Sequence, residues 1–145
     1  MIRIILLLFI CQSSFSQDSP SIDYFENLTN KERKIIVEKG TEKPYTGKYN
    51  NHYKKGTYAC KACSNPLFKS ATKFNSKCGW PSFDKEIEGS VLKIPDYSLG
   101  IKRTEIVCSK CKGHLGHVFY NEGFTKENTR HCVNSISLNF IENSD

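Results

Sequence analysis

The chain has 145 residues, of which 38% are hydrophobic and 25% charged, with a formal charge of +6. That length carries one hydrophobic core, and the composition excludes a disordered chain, a collagen-like repeat and a polytopic membrane protein. Seven cysteines stand out in so short a chain. Disulfide, metal or redox chemistry has to account for them.

Met1-Ile2-Arg3 is a basic start, Ile4–Ile10 an unbroken apolar run, and Ser14-Phe15-Ser16 offers small residues where a signal peptidase reads. The pattern predicts a signal peptide over 1–16, removed before Gln17, and therefore an exported protein, periplasmic or secreted. A membrane span would need about 20 apolar residues. Lipidation at Cys11 fits less well, because Phe9 and Ile10 are bulky where that processing wants small residues; a retained apolar tail is the third reading. The lysines are scattered and form no dense arm, so no nucleic-acid partner is expected. A monomer is. Without the leader six cysteines remain, an even number in a compartment that favours disulfides.

Residues 17–27 read as a flexible segment. Thr29-Asn30-Lys31-Glu32 is a capping box, which predicts a helix from Asn30 to about Glu38 with Ile35, Ile36 and Val37 buried and Gly40 as the stop. Residues 41–56 read as an irregular arm with one short extended piece. From Gly56 on, short aromatic and β-branched runs between Gly, Pro, Asn and Asp predict strands. They are Thr57–Cys60, Leu67–Phe68, Ser90–Ile94, Ile101–Cys108, His117–Tyr120 and His131–Ile141. Alternation in the last places Cys132, Asn134, Ile136, Leu138 and Phe140 on an apolar face and His131, Val133 and Ser135 on a more polar one. The chain thus reads as a mainly β domain over 28–141 with a short N-terminal helix and a tail over 142–145.

Cys60-Lys61-Ala62-Cys63 and Cys108-Ser109-Lys110-Cys111 are two C-x-x-C knuckles. Together they make a four-cysteine set that suits one structural zinc ion. With 44 residues between them, such a site would close a long loop in a domain with a limited core. Two disulfides are the competing reading, and two Cys with His114 and His117 another. No βαβ pattern supports a thioredoxin-type use of either pair.

Cys78 and Cys132 lack such partners. They could form one inert staple, or they could react. A free thiol is only a few per cent thiolate at neutral pH, so an attacking cysteine needs nearby positive charge or donors. Arg130 shares a strand face with Cys132, and His114 and His117 are candidates for proton delivery.

Three segments taken together resemble a known family. Cys78-Gly79-Trp80-Pro81-Ser82-Phe83, Gly113-His114-Leu115-Gly116-His117-Val118-Phe119 and Arg130-His131-Cys132-Val133-Asn134-Ser135 look like the motifs of the methionine-R-sulfoxide reductases (MsrB). They come in family order, with both knuckles where the zinc-bearing members have theirs. The resemblance spans about Leu28 to Phe140 and implies two antiparallel sheets with the zinc knuckles at one end. It implies that Cys132 attacks the sulfoxide and that Cys78 resolves the resulting sulfenic acid as a disulfide. Trp80 would pack on the substrate methyl, with Phe119 beside it. His114, His117, Arg130 and Asn134 would surround the sulfoxide oxygen and the nucleophile. A thioredoxin-like reductant would reopen the disulfide. Two positions depart from the usual pattern: His131 where Tyr is common, and Lys77 where Gly is. A zinc-knuckle binding module without turnover and a disulfide-stapled domain are the alternatives.

Overall fold

A computed structural model describes residues 23–143. The expected leader, Cys11 and the first part of the segment before the helix lie outside them. Within the described part of that segment, Tyr24 and Phe25 pack against the core, and the Phe25 carbonyl accepts from Arg33 at 2.9 Å.

Helix α1 runs Asn30–Ile36. Thr29 and Glu32 cap it reciprocally: the Glu32 amide donates to Thr29 Oγ1 at 3.3 Å and the Thr29 amide to Glu32 Oε2 at 2.8 Å. It ends two residues before the expected Glu38. Val37 is the C-cap and is exposed, so only Ile35 and Ile36 of the expected stripe are buried.

Nine strands follow: β1 Gly56–Cys60, β2 Pro66–Lys69, β3 Lys73–Phe74, β4 Ser82–Phe83, β5 Val91–Asp96, β6 Arg103–Cys108, β7 His114–Tyr120, β8 Thr129–Val133 and β9 Leu138–Glu142. They form two antiparallel sheets, β2-β1-β9 and β3-β4-β8-β7-β6-β5. The arm 41–55 holds turns and no strand, against the one extended piece expected there.

The sheets meet through aromatic side chains. Phe68 of the small sheet stacks on Phe83 of the large one with ring centroids 4.4 Å apart, and Tyr58 meets Phe83 edge-on at 5.0 Å. Ile106, Val118 and Val133 complete this core from the large sheet. Burying such side chains stabilises by about 1.5–3 kcal/mol each.

The single strand expected over His131–Ile141 is corrected. It is two strands in different sheets, joined by a one-turn 3-10 segment at Ser135–Ser137. A period-2 pattern cannot reveal a corner that preserves the alternation of polar and apolar residues. The faces are also reversed around the cysteine: His131 and Val133 are fully buried at 0% exposure, whereas Cys132 faces away from that core and is half-buried.

Candidate active site

The register of the large sheet places the reactive groups in one row. Ser82 pairs with Cys132, Cys132 with His117, His117 with Glu105, and Glu105 with Ile94. Directly opposed residues of antiparallel strands put their side chains on the same face. The other face, with Phe83, His131, Val118 and Ile106, is the core.

Two histidines three residues apart would point to opposite faces of a regular strand. A register shift removes that conflict: Ile106 opposes Gly116 while Val107 opposes His114, so Leu115 is the extra residue of a bulge. Both rings therefore reach the site face, 5.7 Å apart and edge-on. Gly116 permits the close approach of β7 to β8. Its φ is +153°, and a Cβ there would lie 2.0 Å from the Cys132 carbonyl oxygen.

The histidines are held differently. His117 Nε2 is 2.8 Å from Asp96 Oδ2, and Arg103 donates to the same oxygen at 2.6 Å. The Asp96 carboxyl is held well below the usual range, chiefly by the Ser98 backbone amide, then by His117 and the Ser98 hydroxyl. His114 is buried, with Nδ1 2.7 Å from Glu105 Oε1, while Lys39 pairs with Glu105 Oε2 at 2.8 Å. Burial lowers the His114 pKa against the pull of Glu105. His117 lines the pocket at Cys132; His114 does not.

Cys78 and Cys132 are brought together, with their sulfurs 3.7 Å apart. The Cys78 thiol is pulled down to about 4, first by the hydrogen bond with Cys132 and then by Ser76 and Ser82. Ser76 Oγ donates to Cys78 Sγ at 2.9 Å, and Ser82 Oγ lies 3.5 Å from it. The Cys132 thiol is pushed up, because its proton bonds to Cys78 and because it is buried; the nearby Arg130 charge opposes this. The pair shares a proton across this contact, and these opposite shifts favour keeping it on Cys132. Access belongs to Cys132, which lines a pocket of about 140 Å³ with Trp80, His117 and Phe119.

Arg130 is locked by two hydrogen bonds to Glu122, at 2.7 and 2.8 Å, and lies over the Phe119 ring at 4.4 Å. Asn134 lines the pocket, but its amide group is engaged with backbone. Its Oδ1 accepts from the Glu42 amide at 2.8 Å and its Nδ2 donates to the Leu115 carbonyl at 3.2 Å. Trp80 is fixed by an indole N–H bond to the Glu42 carbonyl at 2.8 Å. Glu42 also accepts from the Ser135 amide at 2.8 Å. The irregular arm is thus the strap that ties Trp80 to the segment after Cys132.

Cys60, Cys63, Cys108 and Cys111 form a cluster whose sulfurs all lie within 4.8 Å of one another. Two of the separations, 3.6 Å for Cys60–Cys111 and 3.5 Å for Cys63–Cys108, run between knuckles. A zinc tetrahedron with bonds of about 2.3 Å has edges of about 3.8 Å, so the donor set fits a zinc ion. The knuckles repeat one backbone pattern: Ser64 and Lys112 donate to the first cysteine's carbonyl, both at 2.9 Å. Both residues adopt left-handed φ, 57° and 64°. His114 and His117 lie outside this cluster.

Several residues that shape the site carried no signal in the sequence reading. Asp96, Glu105 and Arg103 act on the histidines from β5 and β6, Glu42 acts from the arm, and Glu122 acts on Arg130. An acidic residue in a loop is ordinary, and only the register makes these partners. Ser76 and Ser82 could have been suspected from their closeness to Cys78 in sequence.

Comparison with known proteins agrees with this geometry. A SelR-domain family model matches residues 28–142. The peptide methionine sulfoxide reductase MsrB of Teredinibacter turnerae is 49% identical over 122 residues, covering 83% of this chain and 90% of that protein. The MsrB of Pseudomonas savastanoi is 46% identical over 120 residues, covering 82% and 91%. The chloroplastic peptide methionine sulfoxide reductase B3 of Oryza sativa is 50% identical over 119 residues; that stretch is 81% of this chain but only 51% of the rice protein. Against the chloroplastic B2 protein of Arabidopsis thaliana the matched share is 61% of its length, so the chain spans a little over half of these two plant relatives. With the SelR match covering most of its length and both bacterial relatives aligned almost end to end, the chain belongs to the SelR-domain family of methionine sulfoxide reductases B.

Proposed function

We propose that this protein reduces methionine-(R)-sulfoxide to methionine and so repairs oxidised methionine. The observation that carries the reading is a pocket in which Cys132, His117 and Trp80 converge while a second thiol, Cys78, waits 3.7 Å behind the first. A binding module has no use for that pair.

The substrate's S-methyl group lies against Trp80 and Phe119, and its oxygen points toward His117. Cys132 attacks the sulfoxide sulfur as its own proton passes to Cys78, and His117 protonates the departing oxygen. The substrate's S–O bond breaks, the hydroxyl passes to the Cys132 sulfur as the bond to the methionine sulfur is released, and methionine departs, leaving Cys132 as a sulfenic acid. Cys78 returns to the thiolate, attacks the Cys132 sulfur and displaces the oxygen as water, forming a Cys78–Cys132 disulfide. Ser76 and Ser82, which touch the Cys78 sulfur, remain in place to support its thiolate in this step. A dithiol reductant of the thioredoxin class then restores both thiols by exchange. Arg130 supplies positive charge beside Cys132, and Asn134 holds the backbone around it.

The four-cysteine cluster would hold a structural zinc ion, which leaves no open coordination position for chemistry. Export belongs to the same proposal, supported by the leader-like residues 1–16.

The test is turnover of racemic methionine sulfoxide with dithiothreitol and a chiral readout. Loss of the R epimer alone, abolished in Cys132→Ser, is the expected result. A folded, metal-loaded protein that consumes neither epimer would overturn the reading.

A further inference from the structure

Among the described residues eleven large hydrophobic side chains are exposed, and five of them sit on one hairpin, β5–β6: Leu92, Ile94, Tyr97, Leu99 and Ile101. At the tip, Tyr97, Leu99 and Ile101 are 60–68% exposed. An apolar cluster of this kind marks a binding surface more often than chance. Its position gives it a use. Ile94 ends the row that starts at Ser82 and passes through Cys132 and His117. Asp96, at the foot of the tip, holds His117. A groove of about 540 Å³ runs between the tip and the end of α1, and its walls include Thr41, Arg103 and His117. The same three residues line the Cys132 pocket. Pocket and groove therefore adjoin, with these three residues as common walls.

The pocket of about 140 Å³ takes one side chain. Whatever is attached to that side chain's backbone has to leave through the groove or into solvent. From Cys132 to Ile94 is three strand spacings, about 14 Å, and Tyr97 lies three residues, about 10 Å, farther along the hairpin. An extended chain at about 3.3 Å per residue spans the straight line of about 17 Å in about five residues. Lys39 on the groove wall is paired with Glu105 and Arg103 with Asp96, so most of the wall's charge is matched, and the apolar contact is supplied by the hairpin tip.

We propose that the β5–β6 hairpin is a docking surface for the polypeptide carrying the sulfoxide: an extended, unfolded segment whose oxidised methionine enters the Cys132 pocket while an apolar residue about five positions away rests on Tyr97, Leu99 and Ile101. This deepens the reductase reading and rests on it. Free methionine sulfoxide is too short to use the surface. An oxidised methionine in a polypeptide that has exposed its apolar residues uses it fully.

The test compares N-acetyl-methionine-(R)-sulfoxide with two nonapeptides that carry the sulfoxide and have either Leu or Ser five positions away. Wild type is expected to favour the Leu peptide about tenfold in kcat/KM. The triple variant Tyr97→Ser, Leu99→Ser, Ile101→Ser should lose that preference while turning over the N-acetyl substrate as before. Equal rates on both peptides in wild type would overturn the proposal. So would an equal loss on all three substrates, or a wild-type dimer that the triple variant dissociates. Binding of the fluorescently labelled Leu peptide to Cys132→Ser, with and without the three serines, reads the surface without turnover. A failure to reduce any substrate therefore counts against the reductase reading, and a failure of the three serines to weaken this binding counts against the docking surface.

Discussion

Asp96 Oδ2 stands 2.8 Å from His117 Nε2, and Arg103 shares that oxygen. The carboxylate fixes the ring from the edge strand and leaves Nδ1 as the nitrogen able to hand over a proton. Asp96→Asn is expected to lower kcat about tenfold with little change in KM. His117→Ala should cost about 10²- to 10³-fold, the usual worth of a positioned acid. Steady-state kinetics with N-acetyl-methionine-(R)-sulfoxide separate the two effects.

Ser76 donates to Cys78 and also touches Ser82 at 2.7 Å. Removing its hydroxyl in Ser76→Ala takes away a bond made to the thiolate. The Cys78 thiol should then titrate above its present value of about 4. Iodoacetamide labelling of Cys78 against pH measures the shift. In single turnover, the same variant should accumulate more Cys132 sulfenic acid, trapped by dimedone, because the resolving attack is slower.

The cysteine cluster joins β1 of one sheet to β6 of the other through Cys60 and Cys108. One zinc per chain is expected by elemental analysis. Chelation, or Cys111→Ser, should lower the melting temperature by more than about 10 °C, because the metal's binding free energy is spent on folding. Activity should fall only as the fold does.

His131 and His114 are buried, and burial lowers the pKa of both. A histidine whose folded pKa lies below its unfolded value contributes stability above the unfolded value, about 6.5, and loses it as pH falls toward the folded one. Thermal stability should therefore drop between about pH 6.5 and 5, before the carboxylates protonate. His131→Tyr should flatten that part of the profile. Glu86, 2.9 Å from His131 Nε2, moderates the loss in the parent protein.

Gly116→Ala tests the close approach of β7 and β8. The added Cβ would lie 2.0 Å from the Cys132 carbonyl oxygen, so the strands must part. Destabilisation of about 3 kcal/mol or more is expected from denaturant titration. The parting acts directly on the row containing His117 and Cys132, so residual folded protein should also be slow.

The local rules were readable where they depend on neighbours in the chain. The Thr29–Glu32 box started the helix where expected. The two knuckles with their turn residues formed matching loops. Cys78 and Cys132, 54 residues apart, met because motifs in family order placed them. What escaped the sequence were effects of register. The bulge at Leu115 that brings His114 and His117 to one side cannot be seen without the partner strand. The corner at Ser135–Ser137 keeps the polar alternation running while the chain changes sheets, so one long strand was the natural reading. The resemblance places Asn134 beside the nucleophile, but it does not reveal what holds the side chain. Its amide is bound by Glu42 and Leu115, residues that only folding brings near.

Cys132 sits on β8, an interior strand paired on both sides. Cys78 sits in the short loop between β3 and β4, where Lys77 and Gly79 both have positive φ. Their sulfurs are 3.7 Å apart, and bond formation requires about 2 Å. The travel therefore falls to rotation of the two side chains and to the Cys78 loop, since the strand beside it cannot shift without breaking two ladders. That loop is moored by Tyr45, whose hydroxyl donates to the Lys77 carbonyl and whose amide donates to the Gly79 carbonyl, both at 2.7 Å. One exposed tyrosine on the arm thus ties down the backbone on both sides of Cys78, and in the proposed cycle it would limit how far that sulfur travels.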